Sequence, residues 1–127
     1  MSNTKTIVVI DDEAHIRRVV EMKMKNAGYR VVTAADGEEG LSLIRAELPD
    51  AVISDIMIPK LDGRTLCETV DPMKCERTFL TIIMTARISP QERSWISTMR
   101  DTVFVEKPFS PAKLLDIVNS YFEASHV

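Results

Sequence analysis

TIVVIDDEAHI, residues 6–16, decides the fold. Thr6 to Ile10 is an apolar run rich in β-branched side chains, the composition of a buried strand. It passes without a break into Asp11, Asp12 and Glu13. Three acidic groups at the mouth of a buried strand repel one another. Carboxylates that share a site raise each other's pKa unless a cation relieves them. The stretch therefore predicts a strand covered on both faces and, at its carboxyl end, a place for a cation.

Outward from this strand, apolar runs alternate with amphipathic ones. Further strands are predicted at Tyr29–Thr33, Ala51–Ser54, Leu80–Met84 and Val103–Val105, each short and apolar on both faces. Ile16, Val19, Val20, Met24 and Ala27 form one helical stripe that Gly28 terminates. Asp36 with Glu39 reads as a capping-box-like start for the second helix. A third helix begins near Gly63, with Asp62 as a turn or cap residue. Ser89, Pro90 and Glu92 mark the start of a fourth, and Ser110 with Pro111 repeats that device for a fifth. Five strands alternating with five helices imply a three-layer α/β sandwich with right-handed crossovers.

The bulk composition agrees. A chain of 127 residues, 45% hydrophobic and 28% charged, suits one soluble domain spanning residues 1–127. A net charge of −3 argues against direct nucleic-acid binding, which needs clustered Lys and Arg. No apolar run is long enough for membrane insertion. The start, MSNTKT, lacks the apolar segment of a signal peptide, so a cytoplasmic location is expected. Cys67 and Cys75 lack metal-site spacing and read as reduced structural thiols. The seven methionines read as core filler. His15 reads as a surface residue and His126 as part of a fraying tail. Trp95 either packs inward or helps form a partner surface.

In sheets of this kind, ligands bind beyond the carboxyl ends of the strands. Asp11, Asp12 and Glu13 follow the first strand, Asp55 the third, Thr85 the fourth and Lys107 the fifth. A single aspartate after a strand would be read as a helix cap. Acidic residues after two strands that should be neighbours suit magnesium, which takes oxygen ligands. Lysine and threonine opposite them suit phosphoryl oxygens. A carboxylate can itself accept phosphate as an acyl phosphate. The set reads as phosphoryl transfer onto an aspartate, governed by positioning and electrostatics.

Four segments, VVIDDE, DIMIPKLDG, IIMTA and VFVEKPF, occur in this order. Through them the chain resembles the receiver domain of two-component response regulators over essentially its whole length. The resemblance implies a flavodoxin-like fold with strand order 2-1-3-4-5. It implies that Asp55 is the phosphoacceptor and that Asp12 is the direct carboxylate ligand of magnesium, or of manganese in its place. Asp11 would be the outer-shell partner of that ion. Asp55 and the backbone carbonyl of Met57 would complete the protein ligands. Thr85 and the backbone N–H of Ala86 would bind phosphoryl oxygens, and Lys107 would pair with Asp55 and then with the phosphoryl group. Phe104 would be the aromatic switch partner of Thr85. Lys107–Pro108 would be a cis peptide, and Pro59 and Gly63 would shape the loop after Asp55. By the same resemblance, Met57 and Arg87 would hold the two positions that set the dephosphorylation rate.

The implied partners are a histidine kinase or histidine phosphotransfer protein, and an output protein reached through the fourth helix, fifth strand and fifth helix. The expected assembly is a monomer or a dimer formed on phosphorylation. A stand-alone receiver is preferred to one excised from a longer regulator or hybrid kinase. Such a protein is not an enzyme, apart from catalysing its own phosphorylation and dephosphorylation. Met99, Arg100, Asp101 and Thr102 depart from the Gly-Ala step usual in the family before the fifth strand, leaving the end of the fourth helix open. Two other classes compete. A magnesium-dependent phosphohydrolase working through an aspartyl-phosphate wants a second aspartate where Met57 stands. A flavin module wants a Ser/Thr/Gly phosphate loop where this chain has DDEAH.

Overall fold

Each expected strand forms in the computed structural model, which describes residues 4–124, and most gain a residue at an end. The order along the chain is β1 (Thr6–Ile10), α1 (Ala14–Asn26), β2 (Arg30–Ala34), α2 (Gly37–Glu47), β3 (Ala51–Asp55), α3 (Gly63–Val70), β4 (Leu80–Thr85), α4 (Pro90–Ile96), β5 (Thr102–Glu106) and α5 (Pro111–Ala124). All pairings are parallel and the sheet order is β2-β1-β3-β4-β5. His126 and the first three residues lie outside the described residues. No helix among the described residues is long and apolar enough to cross a membrane.

Alternate residues of a strand face opposite sides of the sheet, so the core divides into two layers. Ile7, Val9, Ile53, Ile82 and Met84 pack with Val20 and Met24 of α1 and with Leu114, Val118 and Phe122 of α5. Val8, Ile10 and Val52 pack with Ile44 of α2 and with Leu66 and Val70 of α3. Burial on both faces holds for β1, β3 and β4. The edge strands depart from that expectation: Arg30 of β2 and Val103 of β5 are exposed, because only one neighbouring strand shields each edge. Met22 and Met57 are also exposed, which corrects the reading of the methionines as core filler. Cys67 is buried and Cys75 exposed, so only the first thiol is part of the packing. Trp95 packs inward, edge-on to Phe104 at 5.3 Å between ring centres.

The helix starts follow the cap chemistry. Ser89 and Glu92 complete a reciprocal capping box. Asp62 accepts the Thr65 N–H at 2.8 Å. Asp36 accepts the Glu39 N–H at 2.8 Å, while the Glu39 carboxylate accepts from Ala35, one residue before the cap. Gly28 sits at φ 98°, as a helix terminator in the left-handed region does.

One feature between α3 and β5 is absent from the expectations. A 3₁₀ turn, Asp71–Cys75, follows α3 and places Lys74 in the interior, 2% exposed. Its ammonium donates to the carbonyls of Arg100 (2.5 Å) and Asp101 (3.2 Å) and to Thr102 Oγ1 (3.2 Å). Asp71 accepts from the Arg100 backbone N–H (2.8 Å) and guanidinium (2.7 Å). Tyr121 of α5 donates to Asp101 Oδ2 at 2.9 Å. These contacts hold Asp101 at φ 46°, at the step where the family usually has small residues. The helix ends at Ile96, and the approach to β5 is fixed by side chains instead of glycine.

Burial lowers the Lys74 pKa to about 8, against the opposing pull of Cys67, Asp101 and Asp71. Below pH 8 the folded state carries the full cost of a buried ammonium. Between 8 and the ordinary lysine value of 10.5 the unfolded chain holds this proton and the folded chain does not, so stability rises with pH. Urea unfolding of wild type and Lys74→Met across this range tests the point. Wild type should gain on the variant by roughly 1–3 kcal/mol, and parallel curves would contradict the assignment.

Candidate functional site

The parallel register carries four strand ends to one edge of the sheet. Asp55 is the last residue of β3 and Thr85 the last of β4; Asp11 follows β1 and Lys107 follows β5. Asp55 pairs in register with Met84, and Thr85 with Glu106. The Lys107 N–H donates to the Thr85 carbonyl at 2.7 Å, which extends the β4–β5 ladder to the lysine. The Lys107–Pro108 peptide is cis, as expected.

Asp11, Asp12 and Asp55 each offer a carboxylate oxygen, and the three lie within 4.8 Å of one another. Asp11 is fully buried, Asp55 is 5% exposed and Asp12 is exposed. Lys107 donates to Asp55 Oδ2 at 2.6 Å, and the Met57 N–H donates to Asp55 Oδ1 at 3.2 Å. Asp11 Oδ1 accepts the Glu13 N–H at 2.9 Å, but its Oδ2 is buried without a hydrogen-bond partner. Burial drives the Asp11 pKa above the ordinary carboxylate value. The charges of Asp55 and Glu13 push the same way, and the Glu13 N–H and Lys107 oppose them in part. Burial also disfavours the charged form of Lys107, but the hydrogen bond and charge of Asp55, with Asp11 and Glu13, outweigh it and raise its pKa.

A buried carboxylate oxygen with no donor, beside two further carboxylates, fits a hard divalent cation with oxygen ligands. Such an ion would supply the missing partner of Asp11 Oδ2 and neutralise repulsion that one ammonium leaves standing. Magnesium, which keeps several of its own waters, suits a site that is open on one side. Asp12, Asp55, Met57, Thr85, Ala86, Arg87 and Lys107 all line a cleft of about 580 Å³ over this edge. The Thr85 hydroxyl donates to the Arg87 carbonyl at 3.1 Å. Phe104, partly buried, packs against a small cluster of Cys67, Ile83 and Trp95.

Sequence reasoning missed two supports. Arg17 of α1 donates to the Asp11 carbonyl at 2.8 Å and pins the acidic turn. Its position one helical turn after Glu13 is the signal that could have revealed it. Glu106 accepts the Ile88 N–H at 3.2 Å and ties the loop after Thr85 to β5.

Comparison with known proteins gives the same answer for most of the chain. The response regulator receiver domain family matches residues 7–119. A probable transcriptional regulator ycf27 of Cyanophora paradoxa is 41% identical over 112 residues, covering 88% of this chain and 46% of the relative. The alkaline phosphatase synthesis transcriptional regulatory protein PhoP of Bacillus subtilis is 32% identical over 123 residues, covering 97% and 50%. The chain thus spans about half the length of these curated relatives. The chemotaxis protein CheY4 of Vibrio cholerae superposes with a TM-score of 0.82 at 28% identity, covering 92% of this chain and 98% of that one.

The unpartnered oxygen gives a measurable expectation. In EDTA, Asp11→Asn should be more stable than wild type by roughly 1–2 kcal/mol, and melt higher, because it removes one charge from a crowded, buried cluster. Magnesium should then raise the melting temperature of wild type more than that of the variant. A variant that melts lower in EDTA would show that repulsion does not dominate there.

Proposed function

The chain belongs to the response regulator receiver domain family, and from that premise we propose that it is a phosphorylation-activated switch that takes a phosphoryl group onto Asp55. The observation that supports this reading is the pairing of Asp55 with Lys107 at 2.6 Å beside two further carboxylates. Asp55 Oδ1 or Oδ2 attacks the phosphorus of a donor phosphohistidine or acyl phosphate. The donor group leaves with the electron pair of its bond to phosphorus, and an aspartyl phosphate remains. A divalent cation held by Asp11, Asp12, Asp55 and the Met57 carbonyl supplies charge neutralisation when bound. Lys107 transfers its charge from the Asp55 carboxylate to a phosphoryl oxygen. The Thr85 hydroxyl and the Ala86 N–H donate to the others.

The donor is a histidine kinase or a histidine phosphotransfer protein. The output partner binds the face made of α4, β5 and α5. Thr85 gives up the Arg87 carbonyl to reach the phosphoryl group, and Phe104 turns toward the space it leaves. The phosphoryl group biases two conformations only by its differential contacts with them. Apart from its own phosphorylation and dephosphorylation, the domain turns over no substrate.

Intact-mass measurement after acetyl phosphate and magnesium tests the acceptor. One phosphoryl group should appear in wild type and none in Asp55→Asn, since an amide is no nucleophile. A mass shift that survives in the variant would refute the assignment.

Lifetime is the second test. Hydrolysis needs a water opposite Asp55, and the cleft over Asp55 is lined by Met57, 77% exposed, and Arg87, with Glu13 and Glu92 further around it. A thioether is a poor acceptor and a guanidinium has only donors, so neither takes a proton from that water. The phosphoryl state should outlast seconds. Met57→Asn with Arg87→Glu should shorten it about tenfold, about 1.4 kcal/mol of barrier. Loss of phosphate is followed after removal of the donor, and a double variant slower than wild type would show that these side chains do not govern water access.

A further inference from the structure

The loop between Asp55 and α3 leans on an element with no residue in the cleft. The Gly37 N–H, in the first turn of α2, donates to the Pro59 carbonyl at 3.0 Å. The Leu61 N–H donates to that same carbonyl at 2.8 Å, and Lys60 between them sits at φ 70°. A side chain on Gly37 would have nowhere to go: its Cβ would lie 2.0 Å from the Leu61 carbonyl oxygen and 2.8 Å from the Leu61 carbonyl carbon. Both are backbone atoms, so no flexible side chain can yield instead. Lys60 Nζ reaches Asp36 Oδ2, the cap of α2, at 3.6 Å. At its other end the loop is tied by the Gly63 N–H to the Ile56 carbonyl at 2.9 Å. Met57 lies between these two anchors.

We propose that Gly37 is a positioning residue for the divalent-cation site, holding through Pro59 and Leu61 the loop that presents the Met57 carbonyl. The proposal rests on the reading of the carboxylate cluster as a cation site. A methyl group at residue 37 must push the backbone of residues 59–61 away by about an ångström to restore even the shortest contact that real Cβ atoms make, 3.0 Å. Metal affinity depends on such outer supports, whose loss typically weakens it roughly 10–100-fold. The loop bond from Gly37 is also lost as the backbone moves. The α2 end of the sheet thereby sets the affinity of a site to which it contributes no ligand.

Manganese serves as the probe, because its unbound ion gives an electron paramagnetic resonance signal that disappears on binding. Titrations need no phosphoryl donor. Gly37→Ala should bind manganese about tenfold more weakly than wild type, and Asp12→Ala should lose binding. Gly28→Ala serves as the control. It strains a glycine at φ 98° just before β2, at the end of the strands away from the carboxylates, and it should keep wild-type affinity. If Gly37→Ala does not fold, Lys60→Ala removes the side-chain tie from the loop to the cap of α2 without adding bulk and should weaken binding severalfold. Wild-type affinity in Gly37→Ala, or in Lys60→Ala where that replaces it, would overturn the inference and leave the cation site intact. Equal losses in Gly28→Ala and Gly37→Ala would overturn it too, by tracing the effect to general destabilisation. Binding that is absent in wild type, or that survives in Asp12→Ala, would remove the cation site and the inference with it.

Discussion

Like-charge repulsion among Asp11, Asp12 and Asp55 is the constraint around which the molecule is arranged. Their oxygens lie within 4.8 Å of one another at the carboxyl end of a sheet whose central strands are buried but for Thr6. Water screens such charges poorly at a buried edge, and one ammonium, that of Lys107, stands directly against them. The surrounding structure is what holds the cluster together. The β1–β3 pairing fixes Asp11 relative to Asp55, Arg17 pins the Asp11 carbonyl, and Lys107 arrives by the extended β4–β5 ladder. Two apolar layers supply the stability that this arrangement opposes.

The same constraint connects the parts of the proposed switch. Thr85 ends the strand that lies between Asp55 and Lys107, and its hydroxyl rests on the Arg87 carbonyl. Phe104 belongs to the strand that Lys107 follows, and it packs on Trp95 of α4. In the proposed switch, a change of charge at Asp55 would act on Lys107 directly and on Thr85 across the adjoining strand end. The start of β5 is held differently. Lys74 and Asp71 from the 3₁₀ turn, with Tyr121 from α5, grip residues 100–102.

Much of the fold and most of the site were legible in the sequence because each signal was local. Apolar β-branched runs gave all five strands, and Asp36, Asp62 and Ser89 gave three helix starts whose side chains cap as their chemistry suggests. A polar residue at a strand end needs no tertiary information to be noticed, so Asp11, Asp55, Thr85 and Lys107 could be named together. The resemblance to receiver domains added the strand order and the cis peptide, both of which the structure has.

What remained hidden depended on which surfaces meet. Lys74 sits between Met73 and Cys75 and looks like any surface lysine. Only the turn after α3 brings it under the carbonyls of residues 100 and 101. Met57 and Met22 have the composition of core residues, but their positions leave them in solvent. Nothing local marks Gly37; its constraint is the loop backbone at Leu61, which stands where its side chain would be. The sequence by itself determined the elements and the chemistry at their ends, because hydrophobic period and residue type act along the chain. Tertiary structure alone decided which charges share a site, which loops brace it and which side chains are shut from water, because those depend on contacts between residues far apart in the chain.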